Sequence, residues 1–467
     1  MRWGAYCTLQ LAVAGSGVLP LPSVFAKCGV ASGTVICFLV TLLNDRTTTW
    51  LIEAAYLASP GSAAAGSYSE LLRRCGFGER CVFCAELAAF GLLFGSVAAC
   101  LACAGEASAK LVGDVFEALA LAGGDGAVEL TRAVSPLLAC ALACALGLRS
   151  FSAMRYASAL GVGFLGLIVG AVVYAYASSD GPPTRVPGAP RGPSARYGAE
   201  WAEWPVAVTV LGYALYLGPV ALAMVAEATA LGVEEIVDPT VTTTKRWGSF
   251  DSVVGRFDSV SAHENGPEPQ AETPADRYNE IRVAVHQTYA CSFVLYTALG
   301  ASGALWLGED TPTDIVTAFR GKSSIAISAA TVAYLWLSTA PMLIPLRDSV
   351  FALTARRPAA DGAACRSKGS AVRWRLQFGA TLAAIFTAAA LSLALRSLTL
   401  FSLTGATGVC ATCYIIPVAC RWALQKRSGD ATRRAAALPG LCLACGTALS
   451  VFSLAQTLAE MLNPPTR

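Results

Sequence analysis

Eleven runs of apolar residues, at 4–26, 29–52, 81–104, 133–148, 156–178, 204–230, 284–307, 323–346, 376–395, 397–420 and 435–459, constrain this chain more than any other feature. A hydrocarbon slab about 30 Å thick is crossed by about 20 apolar residues in a helix. Backbone polar groups in lipid must be satisfied within the segment, and ten-residue alternating strands are absent. The expected fold class is therefore an all-α polytopic membrane protein of about 11 transmembrane helices. The run at 133–148 is the shortest, and the ninth and tenth are divided only by Arg396. Arg2 precedes the first run as it would a signal peptide, but the apolar stretch is too long for a typical h-region, so it is taken as a span. Composition closes the soluble alternative: 55% of residues are hydrophobic and 14% charged, against roughly 25% charged in soluble domains.

Orientation follows from Lys and Arg. With the N-terminus in the cytosol, most of the 34 basic residues fall on the cytosolic side, seven of them between Arg347 and Arg375. That basic stretch should face anionic headgroups. The segment Gly105 to Arg132 is acidic and is expected as an external loop, and an odd number of spans places the C-terminus outside. The stretch from Ser179 to Glu203, rich in Pro, Gly and Arg, is a second external loop. Residues 232–282 form a polar cytosolic loop, in which Phe250-Asp251-Ser252-Val253 recurs as Phe257-Asp258-Ser259-Val260, either by chance or as one face of a short docking helix. A net charge of +3 gives no reason to invoke nucleic acid.

Seventeen cysteines include C-x-x-C pairs at Cys81/Cys84, Cys100/Cys103, Cys410/Cys413 and Cys442/Cys445, a spacing that zinc favours. Nearly all lie inside apolar runs, where Cys acts as a small hydrophobe, and only His263 and His286 are present to complete a mixed site. Helix packing is the favoured reading, with no metal and no cofactor expected. No constellation of nucleophile and base suggests an enzyme.

Two interrupted spans carry the functional signal. The first contains Ala14-Gly15-Ser16-Gly17-Val18-Leu19-Pro20-Leu21-Pro22, and five spans later the sixth contains Gly212 with Tyr213 beside it, then Gly218-Pro219. Glycines free the backbone and prolines cannot complete a helical ladder. Breaks at matching positions in two five-helix halves point to a carrier built as an inverted repeat, here 1–178 and 204–420, followed by an extra helix at 435–460. Unwinding at membrane depth presents a half-helix N-terminus to a carboxylate and free carbonyls to an ammonium or small cation. A zwitterionic amino acid is thereby held without a charged side chain at the bilayer centre, where one costs at least about 2.5 kcal/mol. Ala14, Gly15, Ser16, Gly17, Val18, Tyr213 and Gly218 are the candidate substrate-binding residues. Glu86, Glu227 and His286 lie near span ends, where interfacial or local pairing is favoured over proton relay. Asp45 and Arg46 are neighbours that point to different sides of one helix.

The stretch from Ala12 to Gly29 resembles the first helix of the amino acid/auxin permease family, which includes eukaryotic neutral amino acid transporters. Further matches follow in order: Ser67-Tyr68-Ser69-Glu70-Leu71 with Phe77-Gly78 before the third helix, Pro219 with Glu227 in the sixth, Ser338 to Val350 with Pro345, Arg347 and Ser349 in the eighth, and Gly405-Ala406-Thr407 with Pro417 in the tenth. The resemblance implies a LeuT-like fold of 5+5 inverted repeats plus one helix, forming a single transporter domain over 1–467, and secondary active transport of small amino acids. It also implies a multi-pass protein of the plasma membrane or of a vacuolar or lysosomal membrane. A sensor of amino acids built on the same fold is the alternative. Leu217-Gly218 stands ahead of Pro219 where many members carry a Cys-His-type pair, and the chain begins two residues before Trp3 where relatives usually have a cytosolic tail. In sodium-coupled relatives an Asn one turn before the glycines and a hydroxyl of the eighth helix hold the cation. Ser338 and Thr339 keep the hydroxyl here, but Leu11 takes the Asn position and supplies no oxygen, which hard cations need. Coupling to H+ or Na+ stays open, with protons or the substrate gradient favoured. The partners expected are the amino acid and the lipid bilayer, with the oligomeric state not fixed by the sequence.

Overall fold

In a computed structural model the described residues are 2–59, 62–119, 124–147, 151, 154–178, 204–237, 273–354, 369–394, 404–428, 437, 439–448, 451 and 454–455. Among them no strand occurs. In chain order the helices are α1 (Arg2–Ala14), α2 (Leu21–Cys28), α3 (Val30–Leu57), α4 (Tyr68–Arg74), α5 (Glu79–Ala118), α6 (Asp125–Gly147), α7 (Arg155–Ser178), α8 (Trp204–Ala214), α9 (Gly218–Val237), α10 (Pro274–Leu307), α11 (Lys322–Thr354) and α12 (Gly369–Ala394). A π-helical segment, Gly405–Ile415, then leads into α13 (Ile416–Ser428), and α14 covers Pro439–Ala448.

Eight of these stretches are long and apolar enough to cross a membrane, and the bent pair formed by α1 and α2 makes a ninth. The two remaining apolar runs hold shorter helices among the described residues, Phe378–Leu393 and Pro439–Ala448. Each of the eleven apolar runs thus holds a helix or a broken pair among the described residues, nine of them long and apolar enough to cross a membrane there. The fourth run, the shortest in the sequence, lies in a 23-residue helix that accommodates Pro136.

Several helices outrun the apolar stretches that announce them. α5 is 40 residues long, so Gly105 to Ala118 is helical and not the loop expected there. Apolarity ends at Glu106, but the helix continues because Lys110 pairs with Asp114 one turn on at 3.0 Å. α10 likewise starts at Pro274, inside the expected polar loop. Thr273 accepts from the backbone N–H of Asp276, whose carboxylate accepts from the Thr273 N–H, and Pro274 needs no hydrogen-bond partner for its nitrogen. The repeated Phe-Asp-Ser-Val motif, the loop from Ser179 to Glu203 and residues 355–368 lie outside the described residues.

The core is a stack of helix pairs. α5 packs along α11, α3 along α10, and α1 is enclosed by α7, α10 and α11. α3 shows the division of faces: Cys37, Val40, Asn44, Thr48 and Leu51 are buried, whereas Val35, Phe38, Leu39 and Leu42, at i, i+3, i+4 and i+7, are exposed. Such a stripe would cost about 25 cal/mol per Å² in water and costs nothing against lipid tails. Two carboxylates expected near span ends hold connecting segments at the end of the bundle that carries α4: Glu86 accepts from the Ser69 N–H in the first turn of α4 at 2.9 Å, and Glu227 from the Phe151 N–H at 3.2 Å.

Candidate functional site

The first span is broken where the glycines stand. α1 ends at Ala14, Gly15 takes φ 39° and ψ −154°, Ser16–Val18 form one tight turn, and α2 resumes at an angle of 55°. That Gly15 conformation is open only to a residue without Cβ. Pro20 and Pro22 then suit the first turn of α2, where missing N–H groups leave no ladder incomplete.

The sixth span is interrupted at residues 215–217, between α8 and α9. Gly212, expected to contribute to that break, lies instead within α8. Gly218 opens α9 but faces away from the first span: a Cβ there would meet the Tyr68 hydroxyl at 2.7 Å and Leu51 at 3.3 Å.

Where the two breaks meet, the backbones touch. A Cβ on Gly17 would stand 2.8 Å from Ala214 Cα, 2.9 Å from Ala214 Cβ and 3.1 Å from the Tyr213 ring. Gly17 therefore stands at the closest approach of the two spans, a contact additional to the ligand approach expected of it. Beside it, Ser16 Oγ is 3.5 Å from the Tyr213 hydroxyl and 3.2 Å from Cys100 Sγ of α5. Ser338 of α11 is within hydrogen-bonding reach of the same Cys100, and Ser96 of α5 within reach of both Tyr213 and Tyr216. The Tyr216 hydroxyl donates to Met342 Sδ at 3.3 Å, and the Met342 methyl lies against Gly15.

The carbonyl ends of the broken helices are met by tyrosines. Tyr296 of α10 places its hydroxyl 3.1 Å from the Val13 carbonyl and 2.9 Å from the Ala214 carbonyl, so a single side chain joins the C-terminal ends of α1 and α8. Tyr334 of α11 donates to the Gly15 carbonyl at 2.5 Å. Helix C-termini carry partial negative charge, and two of them converge on this one hydroxyl. Asn44 of α3 donates to the Leu215 carbonyl at 3.3 Å and leaves its own buried Oδ1 without a hydrogen bond.

Of the residues singled out in the sequence, Gly15, Ser16, Gly17, Tyr213 and Ser338 share this buried neighbourhood, with Ala14 and Val18 fully enclosed beside them. Ser338 and Thr339 both donate to the Leu335 carbonyl at 3.0 Å, one turn back on their own helix. Leu11 lies against Gly161 of α7. The neighbouring Gln10 reaches Ser292 of α10 at 3.0 Å, with its buried Oε1 unpaired. Ser96, Tyr296 and Tyr334 are not singled out by the sequence, and Cys100 stands out there only as part of a C-x-x-C pair assigned to helix packing. Above the contact of Gly17 with Ala214 a cleft opens between α2 and α8, with Ser23 and Lys27 facing Val206 and Val210 and with Thr313 on its rim. Among the described residues no group of three metal-ligating side chains occurs.

A family model described as transmembrane amino acid transporter protein matches residues 2–230 and 268–459. No curated protein matches the chain. Crystal structures of three single-residue variants of a manganese transporter from Eremococcus coleocola are similar in fold, each with a TM-score of 0.53 and covering 100% of this chain and 88% of theirs, at 12%, 10% and 12% identity. Identity that low speaks for the fold alone, which is all-helical and LeuT-like.

Proposed function

Because the chain belongs to the transmembrane amino acid transporter family, we propose that it carries small amino acids across its membrane by alternating access around the two broken helices. The observation that carries this reading is the convergence of the α1 and α8 carbonyl ends beside the turn Ser16–Val18. The start of a helical turn offers N–H groups to a substrate carboxylate, and the opposing carbonyls suit its ammonium. Tyr213, Cys100 and Met342 crowd the space between and favour a small side chain. Opening and closing then consist of parting and rejoining α2 and α8 above the Gly17–Ala214 contact, and of the complementary motion on the other side.

The positive-inside bias puts α4 and the Arg347 end of α11 in the cytosol and the cleft between α2 and α8 outside. For the driving ion, Leu11 packed on Gly161 contributes no oxygen, and Ser338 and Thr339, whose protons go to the Leu335 carbonyl and whose lone pairs stay available, supply only two oxygens where hard cations take several. Coupling to protons, or movement down the substrate gradient, follows more readily than strict dependence on sodium.

The test is flux of labelled glycine, alanine and glutamine into proteoliposomes of purified protein, with tryptophan as the bulky comparison. Saturable uptake of the small substrates is expected. Saturable binding without uptake would instead make the protein a sensor of amino acids.

A further inference from the structure

The seventh apolar run carries a polar stripe that the site above uses only at one end. His286, Tyr289, Ser292 and Tyr296 follow at intervals of three, three and four residues on α10, and so occupy one face of the helix. Each meets a partner on another helix. His286 Nδ1 is 2.6 Å from Asp45 Oδ1 of α3, and the Tyr289 hydroxyl is 2.9 Å from Thr48 Oγ1 of α3. Ser292 receives Gln10 of α1, and Tyr296 bridges the broken ends of α1 and α8. The stripe spans ten residues, or about 15 Å of helix.

The end of the stripe distant from the breaks is a paired acid and base, held within long apolar helices. Asp45 exposes 15% of its side chain and His286 42%, so the pair has one wet side and one buried side. It lies 12 residues, about 18 Å, from both the Leu57 end of α3 and the Pro274 end of α10, which the charge bias assigns to the cytosol. The residue beside Asp45 is Asn44, which holds the Leu215 carbonyl in the sixth-span break. One helical segment thus carries both the carboxylate and a hinge contact of the candidate site.

Among the described residues, α3 and α10 also carry Arg46, Glu53, Asp276, Arg277, Glu280 and Arg282. Glu53 lies two turns along α3 with Arg421 of α13, and Arg282 one turn back on α10 beside Tyr278. Arg46 is exposed, Glu227 of α9 holds Phe151, Arg155 of α7 lies over Tyr156, and Lys27 sits at the opposite end of α2. Tyr289, the next residue of the stripe, lies near enough to Asp45 to interact with its charge.

We infer that the Asp45–His286 pair is a proton-binding site that couples proton movement to amino acid movement, joined to the broken helices by Tyr289, Ser292 and Tyr296. This rests on the carrier reading above. The contact at 2.6 Å already holds the Nδ1 proton against Asp45, so the added proton binds the other ring nitrogen, Nε2, converting a carboxylate beside a neutral imidazole into a neutral ion pair. It enters and leaves through the half-exposed side of the ring. A carboxylate with only 15% of its side chain exposed is costly without a counter-charge, and a neutral pair is much less so. The unprotonated pair therefore resists enclosure, and the protonated one permits the helices to close and the cycle to proceed.

The test uses proteoliposomes of the full chain with an entrapped pH dye, carrying wild type, Asp45→Asn, His286→Gln, or the exchanged pair Asp45→His with His286→Asp. Wild type should accumulate alanine when the outside is acidic and should acidify the lumen when alanine is added. Each single variant should retain measurable alanine exchange at equal pH while losing at least tenfold of the substrate-dependent acidification. The exchanged pair should regain part of it. If either single variant accumulates alanine under a pH gradient within twofold of wild type, the proposal is overturned. Loss of exchange and coupling together in both single variants, in protein that remains monodisperse, would make the pair a structural latch and overturns it equally. Wild type that exchanges alanine without moving protons refutes this inference alone, whereas wild type that moves no amino acid refutes the carrier reading beneath it.

Discussion

Gly17→Ala is the smallest change that interrogates the meeting of the two breaks. The added methyl would stand 2.8 Å from the Ala214 Cα and 2.9 Å from its Cβ, whereas carbon atoms settle at about 3.5–4.0 Å. The obstacle is backbone, so no rotamer change relieves it, and the two spans must part by roughly 0.7 Å or more. Overpacking of this kind costs about 1–3 kcal/mol, and every 1.4 kcal/mol is a factor of about ten. Because the strain exists only while α2 and α8 are together, it biases the carrier toward the form in which they are apart, by roughly 5- to 150-fold. The assay is labelling of Ser23→Cys by a membrane-impermeant thiol reagent, since Ser23 lines the cleft and is buried in the closed arrangement. Labelling should accelerate by about that factor until the open form dominates, and maximal uptake should fall. Adding Ala214→Gly should restore both only in part, because it removes the Cβ clash and leaves the Cα one. Unchanged labelling and unchanged uptake in Gly17→Ala would refute the view that this contact closes the cleft.

Three further outcomes are expected. Tyr296→Phe keeps the ring and removes the donor shared by the Val13 and Ala214 carbonyls; leaving one of them buried without a partner should cost about 1–3 kcal/mol, visible as a lower midpoint in thermal unfolding of detergent-solubilised protein, and an unchanged midpoint would remove the clamp from consideration. Replacing sodium by choline should leave most uptake intact while lowering external pH increases it, and near-complete loss in choline with no pH response would show that sodium is held without an oxygen at position 11. Asp314, in the loop between α10 and α11, has its carboxyl pushed up to about 6 by burial, with nearby Glu106 adding to the effect and the Val316 N–H and Lys110 opposing it. The folded loop holds this proton better than an unfolded one, so its stability is greatest at pH values below the ordinary carboxylate range and declines as pH rises through about 6. Amide exchange of residues 308–321, corrected for intrinsic rates, should therefore quicken across that window in wild type and stay flat in Asp314→Asn.

The sequence made the helices and the first break plain because both have strong local causes. Gly15-Ser16-Gly17 followed by Pro20 and Pro22 permits no continuous helix, and the chain indeed turns by 55° there. The sixth break was located less well: Gly218 and Pro219 mark its far edge, but Leu215, Tyr216 and Leu217 look like ordinary helix formers, and Gly212 proved to be helical. Helix ends were misjudged wherever charge begins before the helix stops, as at Glu106 to Ala118. The partners of the breaks were harder still. Tyr296, Tyr334, Cys100 and Ser96 are single polar groups in apolar runs, and nothing local separates them from packing residues. Only the spacing of His286, Tyr289, Ser292 and Tyr296 on one helical face would have drawn notice. The role of Gly17 could not be foreseen, because what it lies against is 197 residues away at Ala214.

A phenol has one proton to give, and Tyr296 faces two carbonyls that want one each. At any instant one of the two is short of a donor, so the closed arrangement is held together by a debt it cannot clear by itself. A primary ammonium brings three donors to the same spot. Methylating that nitrogen subtracts them one by one, until a trimethylated analogue, bulkier but of the same charge, has none to offer. Discrimination between an amino acid and its betaine at this point would then depend on the number of N–H bonds and hardly at all on the positive charge that the two share.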